Sequence, residues 1–139
     1  MARATVQKEL HFEVKNEIGL LGQITIALAQ VEVYIIHLLA YTVKNKGYFQ
    51  IITRDNTKAE SVLKNFSQNL EERDVLVVEF ENKVGTLAPV AKLLGSNSIE
   101  IHSAYGTSGD GFKIVGVFST ANNKKAAQLI NKESGSLGL

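Results

Sequence analysis

An internal repeat constrains this sequence more than any other feature, because the second half repeats the first at an offset of 66 residues. Identical residues recur at matching positions, with conservative replacements such as Ile18 and Val84 between them. Between 12–36 and 78–102 the identical pairs are Glu13 with Glu79, Asn16 with Asn82, Gly19 with Gly85, Leu21 with Leu87, Leu28 with Leu94, and Ile35 with Ile101. A repeat of this length predicts two copies of one folding unit, which we place at residues 1–73 and 74–139.

The hydrophobic pattern changes its period in the same order within each copy. Residues 10–14 alternate apolar and polar side chains, which indicates a strand with one covered face. Leu21, Ile24 and Leu28 then follow at helical spacing. Two strands around a turn indicate a β-hairpin, and helix-capping residues precede a second helix. In the first copy the strands are 33–43 and 48–53, the turn is 44–47, and the helix follows 55–57. In the second copy the strands are 99–105 and 112–119, the turn is 108–111, and the helix follows 120–122.

The order β-α-β-β-α needs one closing strand per copy to complete a ferredoxin-like unit. Residues 67–73 can supply it in the first copy. Only 133–139 remain for the second copy, and Ser134-Gly135-Ser136 favours a frayed end there. We therefore predict an α+β fold of two ferredoxin-like βαββαβ repeats, each an antiparallel sheet with its helices on one face.

Composition excludes several classes of function. Fifteen Lys and Arg against 14 Asp and Glu leave a net charge of +1, which provides no field for gathering nucleic acid or an anionic membrane. The absence of cysteine excludes disulfides and thiolate metal sites. No apolar stretch is long enough to span a bilayer, and the N-terminus lacks the apolar segment of a secretion signal. We expect a cytoplasmic protein with no membrane or nucleic-acid partner.

Catalytic and metal-binding patterns are also missing from the sequence. His11, His37 and His102 are not spaced as metal ligands, and no phosphate loop, dinucleotide fingerprint or nucleophile motif is present. We therefore expect no metal, no cofactor and no enzymatic activity.

The Asn-x-x-Gly loops are the candidate binding sites. A strand that ends in Gly and opens a helix leaves backbone N–H groups unpaired, and the helix dipole adds partial positive charge there. The donors would lie at 18–20 and 84–86, where a carboxylate is a natural ligand. Asn16 and Asn82 would orient it with their amides. The alternative is that each Gly permits a tight turn and each Asn only caps it.

Residues 14–21 followed by Val33-Tyr34-Ile35, and 80–87 followed by Ile99-Glu100-Ile101, resemble the ACT domain family. The resemblance covers about residues 8–66 and 74–130. It implies a regulatory domain that binds an amino acid at the Gly loop, against a neighbouring domain.

The sequence departs from the family pattern at two positions in each copy. Ile18 and Val84 stand where members often have Pro before the Gly, and Tyr34 and Glu100 stand where members often have Asn. A carboxylate at position 100 could pair with a ligand ammonium, which favours the second loop. Tyr34 would narrow or cover the first pocket. The simpler alternatives are a solvent-facing Glu100 and a Tyr34 that packs in an interface.

The stretch Val33–Tyr41 is apolar on both faces of its predicted strand. Helices cover only one face, so the other needs another sheet or another chain. We expect a homodimer that uses part of this stretch. The alternative is a central strand that is covered within the chain.

These observations lead to a non-catalytic regulatory protein that binds a free amino acid and transmits binding to a partner such as a metabolic enzyme. The alternative is a structural or interaction module that has lost ligand binding. The candidate ligand residues are Asn16, Ile18, Gly19, Leu20 and Tyr34 in the first copy, and Asn82, Val84, Gly85, Thr86 and Glu100 in the second.

Overall fold

The computed structural model describes residues 2–107 and 111–133. Strands and helices follow one another in the predicted order, and the second copy repeats the elements of the first. In chain order the elements are β1 (Arg3–Lys15), α1 (Leu20–Gln30), β2 (Ile35–Val43), β3 (Lys46–Thr53), α2 (Asn56–Leu63), β4 (Glu71–Glu81), α3 (Leu87–Ser96), β5 (Ile101–Thr107), β6 (Lys113–Thr120) and α4 (Asn123–Glu133).

The strands follow the order β2-β3-β1-β4-β6-β5, so β2 and β5 are the edge strands. The hairpin strands pair antiparallel in both copies, with Tyr41 opposite Tyr48 and Gly106 opposite Gly116. β1 pairs antiparallel with β3, and β4 with β6. The predicted α+β fold with two ferredoxin-like repeats is confirmed.

The chain divides into two compact units, each of which contains four whole elements and parts of β1 and β4. Residues Lys8–Arg73 form the first unit, and residues 2–7 join those from Asp74 onward in the second unit. The first unit is closed by the first residues of β4, and the second by the first residues of β1. Residues 2–7, which the repeat places with the first copy, therefore pack in the second unit.

The closing strands differ from the sequence expectation in both units. β4 begins only at Glu71, and Ser67 instead donates its hydroxyl to the Glu13 carbonyl oxygen at 2.7 Å. In the second unit the closing residues come from the beginning of the chain, whereas the repeat pattern predicts them after α4. Of the stretch 133–139, residues 134–139 lie outside the described residues.

Each unit buries one face of its sheet beneath its two helices. In α1 the buried stripe is Leu20, Ile24 and Leu28, whereas Leu21, predicted to lie on this stripe, is half-exposed. The first core comprises Leu10, Phe12, Leu20, Ile24, Leu28, Val33, Phe49, Ile51, Ala59 and Leu63. The second comprises Ala2, Ala4, Leu76, Val78, Phe80, Val90, Leu94, Ile99, Phe118, Ala126 and Ile130. Ala2 and Ala4 thus belong to the second core.

Removing the Asn131 side chain should destabilise the second unit. The Ala4 N–H donates to Asn131 Oδ1 at 2.8 Å, and Asn131 Nδ2 donates to the Ala4 carbonyl oxygen at 2.9 Å. Asn131→Ala leaves both Ala4 groups without these partners, so we expect a loss of about 1–3 kcal/mol in the free energy of unfolding. Urea denaturation measures it, with the exposed neighbour Lys132→Ala as the control. A loss no larger than that of the control would contradict this closure.

Candidate functional site

The loop between β1 and α1 is shaped by one residue in a left-handed conformation. Gly19 has a φ of 90° and precedes the first residue of α1. The Asn16 N–H donates to the Asn45 carbonyl oxygen at 2.7 Å, which ties the loop to the β2–β3 turn. The Leu20 N–H donates to the Glu17 carbonyl oxygen at 3.3 Å, so this predicted donor is already used within the loop.

Several polar groups of this first loop remain available to a ligand. Within the described residues, the N–H groups of Ile18 and Gly19 have no hydrogen-bond acceptor, and the amide of Asn16 and the carboxylate of Glu17 have no partner. Asn16, Glu17, Gly19 and Leu20 line a cavity of about 300 Å³. The loop therefore combines donors that suit a carboxylate with an acidic group that suits an ammonium.

The equivalent loop before α3 has the same backbone turn, with Gly85 at a φ of 84°. Its side chains, however, bond within the loop. Asn82 donates from its amide to the Gly111 carbonyl oxygen at 3.1 Å. The Thr86 hydroxyl donates to the carbonyl oxygens of Glu81 and Lys83 at 2.9 and 3.1 Å.

The charges at the second loop also pair with each other. Lys83 Nζ lies 2.7 Å from a carboxylate oxygen of Glu81. The hydrogen bond from Lys83 lowers the pKa of Glu81, and the same bond raises the pKa of Lys83. The position of Lys83 corresponds to that of Glu17, so the two loops present opposite charges at the same place.

The structure does not bring Tyr34 or Glu100 to the Gly loop of its own unit. Each follows a helix of ten or eleven residues, which separates it from the loop by about 15 Å. The Tyr34 ring instead lies under the Arg54 guanidinium at 4.1 Å. The Glu100 side chain is 78% exposed and lies 3.6 Å from His102. The interpretation of Glu100 as a neighbour of the second loop is not supported within the unit.

A buried carboxylate that sequence reasoning missed lies on the helix-free face of the first sheet. Glu9 is 1% exposed, and one of its oxygens lies 2.6 Å from His11 Nε2. Burial lowers the pKa of nearby His37, against an opposing effect of the Glu9 charge. The alternation of 10–14 places Glu9 and His11 on one face, but it carries no signal that this face is covered. Among the described residues, no three acidic or histidine side chains gather as a metal site.

A larger open cavity of about 690 Å³ lies on the first unit between strands β1 and β3 and the segment that leads into β4. Its charged groups already have partners. Glu13 contacts Lys46 and Asn69, each at 3.3 Å, and Arg73 pairs with Glu71. The charged groups Glu13, Glu71 and Arg73 of this cavity are therefore already paired, whereas Glu17 at the first Gly loop has no partner among the described residues.

A family model described as an ACT domain pair matches residues 4–136. The chain belongs to this ACT domain pair family. A search of curated proteins found no match to the chain. Within the part of the chain that the structure describes, none of the helices of this ACT pair has the length and apolar character needed to cross a membrane.

Solved structures share the fold of this ACT pair over nearly its whole length. Protein BT0572 from Bacteroides thetaiotaomicron aligns with a TM-score of 0.85 and 24% identity, over 94% of this chain and 90% of that one. The regulatory subunit of aspartate kinase from Thermus thermophilus, in its ligand-free form, aligns with a TM-score of 0.67 and 10% identity over 93% and 95%. The corresponding subunit from Thermus flavus gives 0.61 and 13% over 94% and 95%.

Substituting the loop glycine of the ACT pair should destabilise it through the backbone alone. A Cβ at Gly19 would meet nothing within 4 Å, but its φ of 90° is unfavourable for any L side chain. We expect Gly19→Ala to cost about 1–2 kcal/mol of unfolding free energy. Gly22→Ala, three residues later inside α1 and equally open, should stabilise by about 0.5 kcal/mol. Thermal denaturation distinguishes the two, and equal effects would show that φ does not constrain this loop.

Proposed function

We propose that this ACT pair binds a free amino acid at the loop of the first unit, without catalysing a reaction on it. The observation that supports this proposal is the set of unpartnered groups in the first loop, namely the Asn16 amide, the Glu17 carboxylate and the N–H groups of Ile18 and Gly19. Asn16, Glu17 and Gly19 line the 300 Å³ cavity. A zwitterion supplies the charges that match them.

The ligand carboxylate accepts hydrogen bonds from the Ile18 and Gly19 N–H groups, with support from the dipole of α1. The Asn16 amide orients the carboxylate, while Glu17 receives the ammonium in a charge-assisted hydrogen bond. A ligand with so few atoms binds with a dissociation constant of roughly micromolar to millimolar, or about −8 to −4 kcal/mol.

The first loop is the better candidate, although the sequence argument favoured the second. That preference relied on Glu100, which lies at the far end of α3. At the second loop Asn82 and Thr86 are engaged by carbonyl oxygens, and Lys83 is paired with Glu81. Its Val84 and Gly85 N–H groups remain donors, but the residue that corresponds to Glu17 in this loop is Lys83, which carries the opposite charge and is paired.

Replacing Asn16 should weaken amino-acid binding, whereas replacing its repeat partner should not. Calorimetry with each of the twenty amino acids first identifies the ligand for the unmodified chain. Loss of a hydrogen bond to a charged group then predicts binding about 10–100-fold weaker for Asn16→Ala and Glu17→Gln. The matched controls are Asn82→Ala and Lys83→Gln. Weakening by the controls alone would move the site to the second loop, and no binding at millimolar concentration would rule out the sensor function.

Binding can regulate a partner only through a difference in affinity between two states, typically ~1–3 kcal/mol. The aspartate kinase subunits that share this fold are named as regulatory, which supports a metabolic enzyme as the partner here.

An interaction module without a ligand is the second candidate. The observation that favours it is the full exposure of Ile18 and Val84, apolar side chains at the tips of both loops.

We propose in addition that the protein forms a homodimer along β2. This strand lies at the edge of the sheet and leaves Ile36 and Leu38 exposed on it. An apolar edge strand is a ready surface for pairing with another copy. A partner chain docked there is also the route by which a Tyr34 side chain can approach a Gly loop that is not its own.

A charge on the β2 edge should disrupt the dimer. We expect sedimentation at micromolar concentration to give twice the chain mass of 15.2 kDa. Leu38→Lys should shift the population toward monomer, because it places a solvated charge in an apolar contact. His102→Lys, an exposed change on the opposite edge strand β5, is the control. A monomeric unmodified chain, or equal effects of both variants, would contradict a dimer through β2.

A further inference from the structure

The second unit contains an apolar cavity of about 310 Å³ between the start of α3 and the hairpin β5–β6. The rings of Phe80 and Phe118 and the side chain of Ile114 line it, and Leu87 stands half-exposed in its lining. Among its described lining residues, Tyr105 alone carries a polar side-chain atom. The cavity is therefore chemically unlike the polar cavity of the first loop.

Two glycines lie opposite each other in the lining of this cavity. Gly106 faces Gly116 across the β5–β6 pair, and both line the cavity. The corresponding cross-strand pair of the first unit is Ala40 with Phe49, where the Phe49 ring stacks on Phe12 at 5.0 Å. In the second unit Gly116 instead leaves room for the Phe118 ring, which forms a wall of the cavity.

The glycines are required by the packing around them. A Cβ at Gly116 would lie 2.8 Å from ring atom Cε2 of Phe118, and one at Gly106 would lie 3.0 Å from the Val115 carbonyl oxygen. A side chain at either position would force a shift of these neighbours. The aromatic walls of the cavity are therefore packed closely against the two glycines.

We propose that this cavity binds the aromatic ring of a small molecule. Its volume lies at the lower end of the range for ligand sites, which suits one ring. Phe80 and Phe118 offer ring faces and edges for aromatic contacts. A charged or strongly polar group in this position would lose its hydration with almost no partner to replace it.

The proposal does not depend on amino-acid binding at the first loop, because no residue of that loop takes part. The ring can belong to a neutral aromatic compound or to an aromatic amino acid. In the second case the charged end would lie outward, past Leu87 toward the N–H groups of Val84 and Gly85. Benzyl alcohol and L-phenylalanine separate these sources, because they share the ring and differ in charge.

NMR of the full chain with labelled Leu and Ile methyl groups tests the proposal. We expect benzyl alcohol to shift the methyl resonances of Leu87 and Ile114 along a saturable curve, and to leave those of Leu20 and Ile24 unchanged. Isobutanol, which lacks a ring, should shift them at least several-fold less at equal concentration. Tighter saturation with L-phenylalanine than with benzyl alcohol would identify the amino-acid form of the ligand, and the reverse would identify the neutral form.

Two variants fill the cavity from its lining. Leu87→Trp and Ala104→Leu should each weaken benzyl alcohol binding at least tenfold, while Leu21→Trp, the matched change in the first unit, should not. Two filling variants are used so that misfolding of one does not decide the result. Calorimetry of amino-acid binding at the first loop, repeated on Leu87→Trp, shows whether the two sites fail separately.

Three results would overturn the proposal. These are the absence of saturable shifts, uniform shifts of all Leu and Ile methyl groups, and equal weakening by Leu21→Trp.

Another copy of the chain could instead insert Phe112, which is 94% exposed. In that case benzyl alcohol would bind only to Phe112→Ala, and the same substitution would lower the mass measured by sedimentation, so the cavity would be an interface.

Discussion

Completion of each unit by the first residues of a strand that continues into the other unit is the constraint on which this structure depends. The first residues of β1 complete the second unit, and the first residues of β4 complete the first. The contact of Ala4 with Asn131 spans 127 positions of the chain. Such closure lowers the conformational entropy of the chain, and only burial of the complete core offsets this cost in free energy. Folding that relies on distant contacts is correspondingly slow.

The repeat preserves backbone geometry better than side-chain chemistry. Gly19 and Gly85 adopt nearly the same φ, and Thr53 with Asn56 bonds as Thr120 does with Asn123, at 2.7 Å in both units. Where one loop carries Glu17, the other carries Lys83 in an ion pair. Two sites of the same shape can therefore diverge in ligand preference without any change in fold.

Local patterns in the sequence predicted the elements well because their causes are local. Period-two and helical spacing, and the Asp55 cap that accepts from the Lys58 N–H, depend on residues close in the chain. Three features escaped prediction because their causes are distant. The closing strand of the second unit comes from the other end of the chain, Glu100 is separated from its loop by a whole helix, and the buried Glu9 needs a covering that periodicity does not reveal.

The length of β1 and β4 predicts how a single copy of the repeat would behave. Each strand has a first part that completes one unit and a later part that belongs to the other, within 13 and 11 residues. A single copy with such a strand would leave its core open and would find the missing part in a second identical chain. Two such copies would form a strand-exchanged dimer. With both copies in one chain the exchange is intramolecular, so closure does not depend on protein concentration and each copy can carry a different loop.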